Sequence, residues 1–264
     1  MFILRSKSGV YYMAHQTKFS HKHPEVWIPS TDEEAKADIP VLVTLFKKFG
    51  NVKSVLDVGC GMGRHAYLLS RRGYDCEGIE PHPAMVAYAK KHYPGIVFRV
   101  NDMQNITYKN KFDAITCIFS VIVFNKSNEE VMKTFKNFYR SLKKGGIAII
   151  EITNPISWIQ SKSFRTHFVD VEKEKNQKVV YDEWINTNNQ SYVSTRTYYR
   201  LIDNKKVGVF TKESRMFFPL ELKFFLESAG FNVLTMLSAG KLCDITLKNT
   251  KLDKNRLLVV AKKR

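Results

Sequence analysis

The sequence predicts an α/β fold: a mostly parallel sheet with helices on both faces and an antiparallel β insertion after its fifth strand. Three observations carry this. A short apolar run, Val55 to Val58, ends in glycines at 59, 61 and 63 and opens into a helical stretch from His65 to Arg72, which reads as strand, tight turn and helix. From there to Thr153, strand-like and helix-like segments alternate as βαβ units do. Between about 157 and 218 the alternation stops, and β-rich runs separated by turn residues take over.

The elements follow in order. Residues 1–30 show little periodicity but are rich in aromatic and histidine residues, Phe2, Tyr11, Tyr12, His15, Phe19, His21, His23 and Trp27 among them, and are expected to cover the mouth of a site. The His21-x-His23 pair lacks carboxylate or cysteine support, so no metal is expected. Ser30 or Thr31 as N-cap, with Asp32, Glu33 and Glu34 in the first turn, predicts a helix to about Phe49. Its inward face is Leu42, Leu45, Phe46 and Phe49, Pro40 notwithstanding. A second strand over 74–80 ends in Glu80, followed by Pro81, Pro83 and a helix over 84–92. A third strand, 96–100, ends at Asn101-Asp102-Met103-Gln104, and a fourth, 112–119, runs into Ser120. Val131, Met132, Phe135, Phe138, Tyr139 and Leu142 mark one helix face, which Lys143-Lys144-Gly145-Gly146 is expected to end. The fifth strand, 147–153, is apolar on both faces near its start, as in a buried parallel sheet.

In the insertion, β runs over 179–184, 192–202 and 207–218 are separated by turns at 188–190 and 203–205. The expected organisation is a segment 1–37, a core 38–156, an insertion 157–218 that covers the sheet's binding edge or builds a dimer contact, and a return to the core over 219–264. In that last part Pro219 opens a helix with Leu222, Phe225, Leu226 and Ala229 inward, Gly230 caps it, and strands 231–237 and 256–261 flank a lysine-rich loop.

Composition narrows the function. At 264 residues the chain can bury its own core. Cys60, Cys76, Cys117 and Cys243 are scattered without a C-x-x-C pair and read as small apolar residues of a reducing compartment. Neither a secretory pattern nor an apolar run of ~18 residues is found, so a cytoplasmic location without a membrane partner is expected. The net charge of +17 invites a polyanion, yet the lysines come in pairs such as Lys47-Lys48, Lys90-Lys91 and Lys262-Lys263 near helix ends and turns. A solvated basic surface is therefore the favoured reading and a nucleic-acid site the alternative.

Glycines at alternate positions admit positive φ and let a ligand approach without meeting a Cβ, while the following helix start offers unpaired N–H groups. Something polar should sit there. A dinucleotide G-x-G-x-x-G would need glycine at 64, where Arg64 stands, and no G-x-x-x-x-G-K-[ST] string occurs. Glu80 lies about twenty residues beyond the loop, where a doubly wound fold places the carboxylate that holds ribose hydroxyls.

With Asp57 ahead of it, the G-x-G-x-G string resembles the glycine-rich loop of class I S-adenosylmethionine-dependent methyltransferases. The likeness continues through Glu80, Asp102-Met103, the Lys-Lys-Gly-Gly turn and Glu227-Ser228-Ala229-Gly230-Phe231, over residues 38–153 and 219–263. It implies a Rossmann-like seven-stranded sheet with an antiparallel last strand, and S-adenosyl-L-methionine as cofactor. By position, Asp57, Gly59, Cys60, Gly61 and Gly63 would hold the methionine part and Glu80 the ribose, with Pro81 and Met85 beside it. Asp102 and Met103 would hold the adenine, and Phe119 and Ser120 would lie beside the sulfonium. The Phe119-Ser120 stretch and the insertion are similar to small-molecule N-methyltransferases, including the sugar and glycine N-methyltransferases. The resemblance thus implies methyl transfer to N or O of a small acceptor.

A general base is optional for an amine that binds neutral and more needed for a hydroxyl. Tyr11, Tyr12, His15, His167, Tyr181 and Tyr198 are the candidates. Two alternatives stand beside this: an RNA or DNA methyltransferase, suggested by the charge but lacking an N-P-P-Y motif after the fourth strand, and a non-catalytic binding protein on the same fold. A homodimer through the insertion is a further expectation.

Overall fold

Two sheets carry the chain, and their strand order decides where a ligand can sit. The computed structural model describes residues 28–159, 166–172 and 176–264. In chain order the core elements are α1 (Ile28–Phe49), β1 (Ser54–Val58), α2 (Arg64–Ser70), β2 (Asp75–Glu80), α3 (Pro83–His92), β3 (Val97–Val100), β4 (Phe112–Cys117), α4 (Asn128–Ser141) and β5 (Leu142–Thr153). After a short helix α5 (Pro155–Ile159) come β6 (His167–Glu172), β7 (Gln177–Asn186), β8 (Ser191–Arg200) and β9 (Lys206–Arg215). The chain closes with α6 (Pro219–Ser228), β10 (Phe231–Ala239) and β11 (Arg256–Lys263).

The larger sheet has seven strands in the order β10-β11-β5-β4-β1-β2-β3. Strands β1 to β5 pair in parallel, and β11 runs antiparallel to both β5 and β10. This is the Rossmann-like architecture with a reversed last strand that the sequence predicts. Alternate residues of β5 serve opposite layers: Ile147 and Ile149 pack with Leu42, Phe46 and Leu69, while Ala148, Ile150 and Ile152 pack with Phe135, Phe138 and Leu226. Burial on both faces explains why this strand reads as a continuous apolar run. The carboxyl ends of β1, β2, β4 and β5, with the reversal between β1's two neighbours, define the edge where such sheets bind ligands.

Three local expectations are corrected. Helix α1 begins at Ile28, so Ser30 and Thr31 lie inside its first turn rather than at the cap. Helix α4 is capped by Ser127, whose Oγ accepts the Glu130 N–H at 3.2 Å while Glu130 Oε2 accepts the Ser127 N–H at 3.3 Å, a reciprocal pair that holds the start of the helix. Its end is also earlier than expected. The Lys143-Lys144-Gly145-Gly146 stretch belongs to β5: Leu142 pairs with Phe112 and Ile147 with Ala114, so the extra residues bulge out. Gly145 supplies the positive φ of 77° that the bulge needs. Strand β6 and helix α5 are not foreseen by the sequence reading, because an edge strand of six residues with none buried, and a helix of five, give little signal.

The smaller sheet, β6-β7-β8-β9, is antiparallel throughout. Its register places Glu183, Ser194 and Lys212 side by side, next to Tyr181, Arg196 and Phe210. On this face Glu183, Ser194, Arg196 and Ser214 are buried. The opposite face exposes Val169, Val171, Trp184 and Val209. No helix among the described residues is long and apolar enough to cross a membrane.

Candidate active site

The three loop glycines share a left-handed backbone but not a surrounding. They stand at φ 70°, 55° and 80° for Gly59, Gly61 and Gly63. A Cβ on Gly59 would meet Val121 Cγ2 at 2.5 Å, and one on Gly63 would meet Phe98 Cζ at 2.6 Å. A Cβ on Gly61 would meet no atom of the protein within 4 Å. Gly59 and Gly63 are thus glycine because the protein packs against them, while Gly61 borders open space.

Two buried acids flank the loop. Asp57, near the end of β1, is 3 % exposed and accepts a hydrogen bond from Thr116 Oγ1 at 2.8 Å. Burial pushes its carboxyl above the ordinary carboxylate value, and nearby Glu80 adds to this; His65 and the Thr116 hydroxyl pull the other way. Glu80 ends β2 and is also buried. Its Oε2 accepts the Gly61 N–H at 3.2 Å and its Oε1 accepts the His82 N–H at 3.2 Å, with His82 Nδ1 beside the same oxygen. The carboxylate is therefore tied to the open glycine itself. Cys60 is buried, and burial first, then Asp57 and Glu80, holds its thiol well above its ordinary value, an inert lining group rather than a nucleophile.

Beyond β2 the expected residues continue along the same edge. Pro81 is exposed and Met85 buried. Asp102 closes a turn on its own chain, accepting from the Gln104 N–H at 2.9 Å and from Asn105 Nδ2 at 2.8 Å. Asn125 Nδ2 donates to the Met103 sulfur at 3.2 Å, which anchors that side chain toward the α4 layer. Phe119 and Ser120 follow β4, and the Phe119 ring is 39 % exposed, with its centroid 5.4 Å from that of His65.

Four residues of this edge are missed by the sequence reading. His65 Nε2 lies 3.4 Å from Asp38 Oδ2, and Asp38 is buried on α1. Glu151, buried in β5, pairs with Arg256 at the start of β11. Near them burial raises the Glu34 carboxyl, Asp38 adds to the effect, and Lys241, Arg256 and Arg64 oppose it. A signal did exist: Glu151 is the one polar residue in the apolar run Ile147 to Ile152, and Arg256 opens the strand that pairs beside it.

Of the candidate bases, Tyr11, Tyr12 and His15 lie outside the described residues, as do His21 and His23. His167 stands on the exposed face of the small sheet, with Nδ1 2.7 Å from Asp182 Oδ1, and is not brought to the edge described above. Tyr181 and Tyr198 lie on the other face; Tyr181 stacks on Phe168 at 4.4 Å and under Arg196 at 4.9 Å. Lys212 on that face sits 5.1 Å above the ring of Phe124, which belongs to the 3-10 turn Val121–Phe124 after β4. The small sheet thus meets the large one at the turn that follows β4. Among the described residues no group of three or more His, Cys, Asp or Glu side chains is arranged to hold a metal.

Residues 55–146 match the family model described as a methyltransferase domain. The chain is 31% identical over 98 residues to the dTDP-3-amino-3,4,6-trideoxy-alpha-D-glucopyranose N,N-dimethyltransferase of Streptomyces venezuelae, a stretch covering 37% of this chain and 41% of that protein. It is 28% identical over 142 residues to the dTDP-3-amino-3,6-dideoxy-alpha-D-glucopyranose N,N-dimethyltransferase of Streptomyces fradiae, covering 54% and 51%. The alignments therefore span about two fifths to one half of these relatives. Among solved structures, an S-adenosylmethionine-dependent methyltransferase from Clostridium acetobutylicum superposes with a TM-score of 0.70 at 15% identity, covering 93% of this chain and 96% of that one. CalS10 from Micromonospora echinaspora, an amino pentose methyltransferase solved with its cofactor bound, gives 0.66 at 20% identity, covering 97% and 100%. The chain thus carries a segment similar to a methyltransferase domain, on the Rossmann-like fold of solved S-adenosylmethionine-dependent methyltransferases, and its likeness extends to sugar N-methyltransferases.

Proposed function

We propose that the chain is an S-adenosylmethionine-dependent methyltransferase acting on a small-molecule acceptor, with the amine of an amino sugar as the favoured acceptor class. The observation that carries this reading is the contrast within the glycine loop: Gly59 and Gly63 are packed, while Gly61 faces open space between two buried acids, Asp57 and Glu80. That is a cradle a Cβ would narrow, with carboxylates suited to an amino acid on one side and ribose hydroxyls on the other. When bound, the cofactor supplies a methyl group on a sulfonium, which is already a good leaving group.

The protein's own work is then alignment and exclusion of water. Asp57 and the loop would hold the methionine part, Glu80 with Pro81 and Met85 the ribose, and Asp102 with Met103 the adenine. Phe119 presents an exposed ring at the carboxyl end of β4, where an acceptor would meet the methyl group. An amine that arrives neutral needs no protein base for the transfer itself, and a proton lost afterwards can pass to water. The names of the relatives support nitrogen as the acceptor atom and a nucleotide-linked amino sugar as the class to try first. The exposed face carrying Val169, Val171, Trp184 and Val209 is the proposed contact for a second copy of the chain.

Calorimetry with S-adenosylmethionine and S-adenosylhomocysteine, in the presence of chelator, is the direct test. Both should bind, and Glu80→Ala should weaken both by about 1.5–3 kcal/mol with the fold intact. No binding, or binding only with a divalent ion, rejects the reading. Labelled methyl should then appear on nitrogen of a dTDP-amino sugar. Label appearing on a polynucleotide alone would move the acceptor site to the basic surface.

A further inference from the structure

Phe119 and Ser120 both occupy the left-handed backbone region, at φ 57° and 60°. That region crowds a Cβ against its own carbonyl, and a bulky aromatic residue is seldom found there. Two such residues in succession persist only where their surroundings over-determine them. Here the restraints all come from the end of β5. The Phe119 N–H donates to Glu151 Oε2 at 2.7 Å, and the Ser120 N–H donates to the Glu151 carbonyl oxygen at 3.0 Å. The Thr153 N–H donates to Ser120 Oγ at 2.7 Å.

Glu151 is fully buried, and a carboxylate there must be paired to remain charged. Arg256 Nε closes on its other oxygen, Oε1, while Arg256 Nη1 donates to Thr153 Oγ1 at 2.9 Å. The same guanidinium lies 6.0 Å from the centre of the Phe119 ring. One ion pair therefore grips Phe119 by its backbone and flanks it by its ring. A segment that merely turned the chain would have no use for this. The ring gains little burial in return for the strain, since it remains 39 % exposed.

We propose that Glu151 and Arg256 are a positioning pair: they fix the Phe119 ring at the carboxyl end of β4, in the place where the proposed function has the methyl group pass to its acceptor. The role in transfer rests on that proposed function; the placement of the ring does not. Neither residue touches the reacting atoms, so their loss should act through Phe119.

The experiment places 4-fluorophenylalanine at position 119 and follows its fluorine resonance alongside cofactor affinity and turnover. The parent should give one narrow line. Glu151→Gln and Arg256→Met should broaden or split it, and Arg256→Lys should restore it in part. The double variant E151Q/R256M strands no buried charge, so it folds where a single variant does not, and circular dichroism checks this. Affinity for S-adenosylhomocysteine should change by less than about threefold, while methyl transfer to dTDP-3-amino-3,4,6-trideoxy-alpha-D-glucopyranose falls by about tenfold or more, the pattern of lost alignment rather than lost binding. An unaltered single line in the folded double variant overturns the proposal, and so does an equal loss of affinity and turnover. A parent protein that binds no S-adenosylhomocysteine refutes the proposed function instead, and the fluorine line still decides whether the pair holds the ring.

Discussion

The large sheet and the small sheet both bury charge, and they do it in different places. In the large sheet Asp57, Glu80 and Glu151 sit at or near the carboxyl ends of their strands, each beside a hydrogen-bond or ion-pair partner on a neighbouring strand or loop. In the small sheet Glu183, Ser194, Arg196 and Ser214 lie within the strands, spread across one face. Strand ends make a site from backbone turns and a few carboxylates, which suits a ligand gripped the same way each time. A strand face makes a site from side chains alone, which suits a partner that must be told from its neighbours. On the proposed function, the cofactor would fall to the first and acceptor selection to the second.

Substitutions in the glycine loop should separate packing from binding most sharply. Gly59→Val forces a Cβ to 2.5 Å from Val121 Cγ2 at a left-handed φ, and should cost roughly 3–5 kcal/mol in urea unfolding or prevent folding. Gly61→Ala meets nothing in the protein and should cost only about 1–2 kcal/mol for its backbone geometry. Yet it should abolish measurable S-adenosylhomocysteine binding. Normal binding by Gly61→Ala would remove the loop from the ligand site.

Asp57→Asn should trade stability against binding. Burial raises the Asp57 carboxyl above its ordinary 3.8, so its contribution to stability is fully present below that pH and is lost as pH rises through the elevated value. The amide carries no such charge. The variant should be as stable as the parent or more so at pH 7, with a flatter pH profile above about pH 4, while its affinity for S-adenosylmethionine falls by about tenfold or more. A variant destabilised at neutral pH would show that the Thr116 hydrogen bond outweighs the cost of burial.

These contrasts explain what could be read in advance. The glycine loop, Glu80 and the succession of the seven core strands along the chain are legible because they depend on local backbone needs: positive φ, a turn after a strand, apolar periodicity. Glu151, Arg256, Asp38 and His65 are not, because each matters through a partner 27 or 105 residues away that only the sheet order brings near. In the small sheet, sequence reading locates the runs but not their facing. A shift of one residue in register would exchange the Arg196 and Trp184 faces, and nothing within a strand says which face is covered.

Lys212 tests the covered face with a smaller effect. Burial first, and then the Arg196 charge, lowers its ammonium from 10.5 to about 8. Its contribution is therefore present above pH 10.5, falls as pH drops through about 8, and stays at its lowest below that. Lys212→Met should raise stability by about 1–2 kcal/mol at pH 7, and the gain should shrink as the pH approaches that of the free amine. A loss at pH 7 would mean that the ammonium is held by contacts stronger than its cost.

The smallest effect belongs to the opposite face. His167 and Asp182 are 63% and 48% exposed, their side chains 2.7 Å apart on the edge pair of strands. An exposed pair of this kind loses much of its attraction to solvent and salt, so His167→Ala should change stability by no more than about 0.5 kcal/mol. Its effect on catalysis is the sharper question, because a histidine is the residue type most often used to take a proton near neutral pH. The register answers it: His167 pairs with Asp182 and Thr195 continues the same row, whereas Tyr181, Arg196 and Phe210 form the adjacent row on the other face, toward Phe124. Methyl transfer by His167→Ala should equal that of the parent, and a folded variant that lost most of its turnover would instead bring the exposed face to the acceptor and exchange the roles of the two faces.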